Sequence, residues 1–263
     1  MVTGVLPIAL EDATKAIQVF LFSGKEYICL MQLHEEVAEE KVRSILDEFT
    51  GEIYQRPPLR ASVKREIRKR TIYRIDLLEI DSRRVLFKVA CQAGTYIRKL
   101  CSDIGEALGC GAHMRELRRT RAGPFTEDEH SYTLHELQEA KRICVEDGRE
   151  EPLREAVRPV EEIFKHIPKI YIRDSAVDAI CHGARLAIPG IVQIETGIER
   201  ESPVAIFTLK GEVVALAKSE LSTQDILDFE KGIAAKPLRV IMRPGTYPRE
   251  WGSNQEKRCS RQS

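Results

Sequence analysis

The sequence predicts an α+β protein in two parts: interleaved helices and strands first, then a small β-barrel. Three observations predict this. Helical and alternating apolar patterns interchange through the first half. Composition changes around GREEPLREAVRPVEEIFKHIPK, where prolines and mixed charge suggest a linker or strap. Beyond it, short strands joined by tight turns run for about 80 residues.

Taken in order, VTGVLPIAL is an apolar stretch starting at the second residue and stopped by Glu11 and Asp12. It lacks a basic lead-in, so it does not read as a signal peptide. Asp12 falls in a segment expected to be helical. EEVAEEKVRSILDEF puts Val37, Val42, Ile45, Leu46 and Phe49 on one helical stripe. RTIYRIDLLEI and RRVLFKVAC are strands; in the second, Val85, Phe87, Val89 and Cys91 alternate with polar or small residues. A turn at Gly94 leads into a helix starting near Tyr96 or Ile97. Its apolar face is Ile97, Leu100, Cys101, Ile104 and Leu108, with Gly109 as its stop. Thr133 and Glu136 have capping-box spacing.

In the second part, KIYIRDSAVDAICHGARLAIPGIVQIE reads as strand, short helix capped by Asp174, then strand. PVAIFTLKGEVVALAKS is a hairpin turning at Lys210–Gly211. STQDILDFEKG is a helix with a Ser222/Asp225 capping pair, and KPLRVIMRPGTYP a last strand. The domain boundaries expected are 1–165 and 168–247, with a polar, disordered tail over 248–263.

Composition narrows the function classes. The chain has 263 residues, 43% hydrophobic and 31% charged, as a soluble globular protein has. No stretch approaches the ~18 consecutive apolar residues of a membrane span, and the expected compartment is the cytoplasm. Seven cysteines form no C-x-x-C pair. Cys29, Cys91, Cys101 and Cys181 sit in patterned segments, where a reduced thiol serves as a small apolar residue. Cys110 and His113 make a lone C-x-x-H without the second half that a four-ligand zinc site needs, so no metal is expected. Net charge is zero, but it is segregated. RPPLRASVKREIRKR (56–70) carries seven Arg or Lys and one Glu, and MRELRRTR (114–121) four Arg and one Glu. Such runs are either solvated helix faces or a basic face for a phosphate backbone; two in one domain favour nucleic acid.

The chemistry concentrates at GTYIRKL. A strand–turn–helix corner projects polar side chains from a supported backbone, and Tyr96 and Arg98 lie two residues apart around it. From spacing alone, Tyr96 could equally be a core aromatic and Arg98 a surface charge.

The wider pattern is more specific. CQAGTYIRKLCSDIGEALGCGAHMRELRRTRAGPF resembles the Tyr-x-Arg motif and Leu-Arg-Arg segment of the TruB/dyskerin family of pseudouridine synthases. VTGVLPIALEDATKAIQ, GKEYICLMQLH and QRPPLRASVKR match upstream in the family's order, and HGARLAIPGI and VIMRPGTYPREW resemble a PUA domain. The pattern is most similar to the archaeal dyskerin-like branch. The resemblance implies a mixed-sheet synthase core followed by a PUA β-barrel. It also implies isomerisation of uridine to pseudouridine in tRNA (uridine-55 of the T-loop) or in rRNA, as catalytic subunit of an H/ACA guide-RNA particle with its small protein partners. No cofactor or metal is implied.

Residue by residue, Tyr27 matches the tyrosine that stacks on the flipped base, and Tyr96 the one beside the reacting ring, a candidate for proton transfer from carbon. Arg98 matches the arginine that pairs with the nucleophilic carboxylate. Leu117 matches an apolar wall of the pocket, and Lys64 with Pro57–Pro58 a segment lining the same cleft. Arg118 and Arg119 belong to the basic Leu-Arg-Arg run. Gly183, Arg185, Leu186 and Arg243 match or flank the PUA signatures and are expected at RNA. The family's Gly-Thr-Leu-Asp-Pro motif, whose aspartate is the nucleophile, comes just before the segment seen here as VTGVLPIAL. Asp12 does not occupy that position. On this reading the 263 residues alone are inactive, through a misassigned start, a truncation or a separately supplied segment, or because the protein is an inactive RNA-binding or scaffold member. An RNA methyltransferase would need a Gly-rich cofactor loop, which GTYIRKL is too short and too charged to be. A PUA-bearing binder without enzymatic ancestry would have no use for the Tyr-x-Arg corner.

Overall fold

A computed structural model describes residues 2–57, 64, 66–127 and 131–248. In chain order the first part comprises β1 (Val2–Gly4), a 3-10 helix (Glu11–Leu21), β2 (Lys25–Leu33), α1 (Glu39–Glu48), β3 (Gly51–Gln55) and β4 (Arg68–Asp81). There follow β5 (Arg84–Cys91), α2 (Ile97–Leu108), β6 (Ala112–Ala122), β7 (Phe125–Thr126), α3 (Leu134–Glu146) and α4 (Glu151–Ala156). The second part comprises a 3-10 helix (Val160–Phe164), β8 (Lys169–Ile172), α5 (Asp174–Cys181), β9 (Leu186–Ala187) and β10 (Ile191–Ile194). It ends with β11 (Pro203–Thr208), β12 (Val213–Ser219), α6 (Thr223–Asp228) and β13 (Ile233–Val240). Two compact units result: one from residues up to Pro7 with Phe20–Val157, the other from Ile8–Val19 with the chain from Arg158 onward.

The first unit is a mixed sheet of order β1-β6-β2-β5-β4-β3, with β7 on β6. β1 runs parallel to β6 and the other pairs are antiparallel. Period-2 alternation aligns the buried residues in register: Cys29 opposite Phe87 and Met31 opposite Val85, all fully buried. α1 inserts Val42 and Leu46, and α2 inserts Ile97, Leu100, Cys101, Ile104 and Leu108, into the same cluster. Each such large side chain contributes about 1.5–3 kcal/mol when fully buried. The MRELRRTR run lies on strand β6, so the alternative of a solvated helix face does not hold there.

The second unit is a six-stranded sheet of order β10-β8-β11-β12-β13-β9. β11 and β12 are buried along almost their whole length, a sign that both faces are covered. One cover is the expected linker. Its Phe164 is fully buried and meets Phe207 edge-on, with ring centroids 6.1 Å apart, and Glu161 accepts the Val213 N–H at 3.2 Å. The segment is therefore a packed strap, because Ile163, Phe164 and Ile167 supply an apolar face that mixed charge conceals in the sequence. Two other local expectations shift. Asp174 is the first residue inside α5 rather than its cap, which is Arg173. The last strand runs 233–240 rather than through the proline–glycine segment. Of the expected tail, all but Pro248 lies outside the described residues.

Candidate active site

The corner between β5 and α2 takes the expected form. Gly94 has φ +80°, and the Arg70 guanidinium lies over it, so that a Cβ there would sit 3.3 Å from Nη2. Gln92 ties the turn to β4: its N–H donates to the Thr71 carbonyl at 2.8 Å and its Oε1 accepts the Thr71 N–H at 3.2 Å. Tyr96 is the N-cap of α2 and is half-buried. Arg98, one residue into the helix, is exposed, and its guanidinium makes no ion pair among the described residues.

Tyr27 lies near the start of β2, opposite Val89 of β5 and Arg119 of β6, two residues short of where β5 hands over to the corner. It is half-buried against the first core, as is Leu117, which pairs with Cys29 one alternation further along the same face. Burial, and then Cys91, push the Tyr27 phenol above its ordinary value; the positive charge of Arg119 pulls the other way. Tyr27 therefore stays a neutral phenol at physiological pH. Arg119 is occupied structurally: its Nε donates to the Val5 carbonyl at 2.6 Å. Gly4, opposite it, has φ +95°, and a Cβ there would fall 2.1 Å from the Arg119 carbonyl oxygen, so only glycine lets β1 approach β6. Arg118 is exposed and pairs with Glu127 at 2.6 Å. The register thus gathers Tyr27, Leu117 and the Tyr96 corner around one core. Lys64 is exposed, its carbonyl accepting from Arg68 Nη2 at 3.3 Å; Pro57 is buried, and Pro58 lies outside the described residues.

Asp12 is held elsewhere. It pairs with Lys15 at 3.1 Å and with Arg243 at 2.5 Å, and these two cations hold its carboxyl below the ordinary value.

Comparison with known proteins decides the family. Residues 1–97 match the TruB family pseudouridylate synthase N-terminal domain, 98–165 the tRNA pseudouridylate synthase B C-terminal domain, and 168–241 the PUA domain. A probable tRNA pseudouridine synthase B of Methanopyrus kandleri is 60% identical over 95% of this chain and 74% of its own length. The chain belongs to the TruB family of pseudouridine synthases. A like-named protein of Pyrococcus abyssi is 54% identical over 95% of this chain and 75% of its own. Among solved structures, a Cbf5–Nop10–Gar1 complex matches with a TM-score of 0.89 at 53% identity, covering 94% of this chain and 75% of that one. An H/ACA RNP bound to a substrate RNA containing 2'-deoxyuridine matches with a TM-score of 0.86 at 50% identity, covering 95% and 76%.

In the PUA part of this TruB-family chain, Gly183 follows the α5 cap His182 at φ +86°, the left-handed stop expected of it. Arg185 is exposed and 3.5 Å from Glu220. Leu186, expected among the RNA-facing residues, is 1% exposed and packs in the second core, so its side chain is structural. Arg243 is exposed but engaged by Asp12. Cys110 and His113 do not act together: the Cys110 thiol donates to the Gly111 carbonyl at 3.3 Å, and His113 Nδ1 meets His34 Nε2 at 3.1 Å.

Sequence reasoning missed Gln55 and Arg70. Gln55 is buried at the end of β3 with its amide on the Tyr96 main chain, and Arg70, against the Gly94 turn, carries an Nε without a hydrogen-bond partner among the described residues. A glutamine before a basic run and an arginine within it give no local signal of either contact.

Proposed function

We propose that this protein isomerises uridine to pseudouridine in RNA: the T-loop uridine of tRNA, rRNA targets presented by an H/ACA guide RNA, or both. The similarity to proteins named as tRNA synthases and to chains solved in H/ACA assemblies supports both substrates. On this reading it works in the cytoplasm, with guide RNA and the particle's small proteins as partners.

The reaction breaks the bond from ribose to the uracil nitrogen, rotates the base and joins the ribose to a ring carbon. That carbon then loses a proton and the ring nitrogen gains one, so no atom is added or lost. The target base must leave its stack. Tyr27, uncharged and backed by the first core, offers the face on which it stacks. Tyr96, set at the head of α2, is the group beside the ring that removes the carbon-bound proton. Arg98 is placed to hold a carboxylate nucleophile ionised and in position, a carboxylate that on this proposal the 263 residues do not themselves supply. Leu117 closes the apolar side, while Arg118, Lys64, and Arg185 with Arg243 from the PUA part, meet phosphates.

The observation that carries the proposal is Arg98: an exposed guanidinium on the first turn of α2, without an ion pair among the described residues, two residues beyond a tyrosine whose main chain is tied down. The test is pseudouridine formation on a tRNA transcript and on a guide–target pair, by the 263 residues alone, expected to be inactive, and by the same residues joined to a segment bearing the family's Gly-Thr-Leu-Asp-Pro motif, expected to isomerise. The variants are made in the joined protein. Arg98→Lys should lower kcat by at least ~10-fold, because an ammonium cannot reproduce the planar two-point grip. Tight RNA binding with no isomerisation by the joined protein on either substrate would favour the scaffold reading instead.

A further inference from the structure

The corner that carries Tyr96 is held from outside by one side chain that the proposed chemistry leaves unused. Gln55 closes β3, is 2% exposed, and reaches across 41 residues of sequence to the Tyr96 backbone. Its Oε1 accepts the Tyr96 N–H at 2.9 Å, and its Nε2 donates to the Tyr96 carbonyl at 3.2 Å. That carbonyl also accepts the Leu100 N–H at 3.0 Å, so both of its lone pairs are used. Tyr96 has no side-chain cap of its own and sits in an extended conformation, φ −95° and ψ 101°. Within its own helix the Leu100 N–H holds the Tyr96 carbonyl, and it is Gln55 that holds the Tyr96 N–H.

A carboxamide carries one donor and one acceptor side by side, as a peptide group does. Gln55 thus continues the β3 edge by one pseudo-rung and docks it on the N-cap of α2. The preceding turn is secured separately, by Thr71 through Gln92 and by the Thr95 hydroxyl, which donates to the Gln92 carbonyl at 2.8 Å. Both hydrogen bonds from the Gln55 amide go to the Tyr96 main chain.

We infer that Gln55 is a positioning residue for uridine isomerisation, fixing through the main chain where the Tyr96 ring stands over the reacting base. The inference rests on Tyr96 being the group that removes the proton. A misplacement of about 1 Å at a reacting group costs on the order of 10²-fold in rate. Loss of the clasp should therefore fall on kcat and leave RNA affinity alone.

Three variants test this in the protein joined to a segment bearing the Gly-Thr-Leu-Asp-Pro motif, with kcat and RNA Kd measured on the same tRNA transcript. Gln55→Leu keeps volume and removes both hydrogen bonds; kcat should fall about 10- to 100-fold, with Kd within about 2-fold. Gln55→Glu can accept but, once ionised, cannot donate, so it should be equally slow at neutral pH. Burial raises a carboxyl pKa, and the neutral acid regains both functions. The kcat of Gln55→Glu relative to wild type should therefore climb as pH falls, a profile that a generally loosened fold does not give. Tyr96→Phe, run in parallel, separates the two claims. If it keeps full kcat, the role of Tyr96 fails and the inference falls with it. If it is dead while Gln55→Leu keeps kcat within 2-fold, Gln55 alone is refuted. Should Gln55→Leu not fold, amide exchange of Tyr96 in the wild-type protein decides: an N–H that exchanges as fast as exposed loop amides would overturn the clasp.

Discussion

Replacing Gly105 by alanine sets two physical effects of opposite sign against each other. Gly105 lies inside α2, where alanine should stabilise an isolated helix by about 1 kcal/mol. The structure leaves no space for the added methyl. A Cβ at 105 would lie 2.1 Å from the Ala112 backbone nitrogen, 2.5 Å from the Gly111 carbonyl carbon and 2.6 Å from the Ala112 Cβ. Main-chain atoms of β6 cannot rotate aside, and the Gly111 N–H is already bonded to the Gly105 carbonyl at 2.9 Å. Relief requires α2 and β6 to part by more than 1 Å over a fully packed core, the upper end of the about 1–3 kcal/mol seen for overpacking. Net of the propensity gain, Gly105→Ala should destabilise by about 2 kcal/mol, lowering a thermal midpoint by about 4–8 °C at this size. Denaturant titration followed by far-UV circular dichroism, with a thermal melt, measures both. Gly109→Ala is the control. Gly109 has open space around it but φ +80°, so its cost is backbone strain of about 1 kcal/mol without core disturbance. A Gly105→Ala protein at least as stable as wild type would refute the close helix–strand contact.

Three further outcomes follow. Thr133→Ala removes the N-cap of α3, whose hydroxyl accepts the Glu136 N–H at 3.3 Å while Glu136 accepts the Thr133 N–H at 2.6 Å; the loss should be about 1 kcal/mol by denaturant titration. Burial works to raise the Glu26 carboxyl, but the Lys88 ammonium at 2.9 Å and the Thr120 hydroxyl at 2.8 Å outweigh it and hold the pKa below its ordinary value. A depressed carboxyl contributes stability that is present above the unfolded pKa and lost as pH falls through the folded one. Glu26→Gln should therefore cost about 1–2 kcal/mol at pH 7 and progressively less as pH falls through the folded pKa, read from denaturation across acidic pH. Burial pushes the Cys91 thiol up to about 11, and the contact with Cys29, followed by burial, pushes Cys101 up strongly. In the native protein at pH 8 both should label with a thiol reagent at least about 100-fold more slowly than the half-buried Cys144, and equally fast after denaturation.

The corner's own geometry was legible in the sequence because it is made locally. Gly94 marks a left-handed turn, Ile97, Leu100, Cys101, Ile104 and Leu108 repeat at helical spacing, and Gly109 ends the helix at φ +80°. The Thr133 and Ser222 capping boxes are likewise contacts of three residues and formed as spaced. Between linker and strap the sequence left the choice open, because Phe164 finds its apolar partner, Phe207, far along the chain. Leu186 looked like part of an RNA-facing loop, yet the antiparallel pairing of β9 with β13 turns it into the core.

By itself, the sequence determined the elements, their order and the residue types of the candidate site, since periodicity, caps and turns act over a few residues and motifs keep their spacing. Only the tertiary structure decided what each polar group meets. Gln55 on Tyr96, Arg119 on Val5 and Asp12 on Arg243 join positions 41, 114 and 231 residues apart. Such pairings depend on strand register and on which faces are buried, and a hydrogen bond closed across a folded sheet leaves no pattern along the chain.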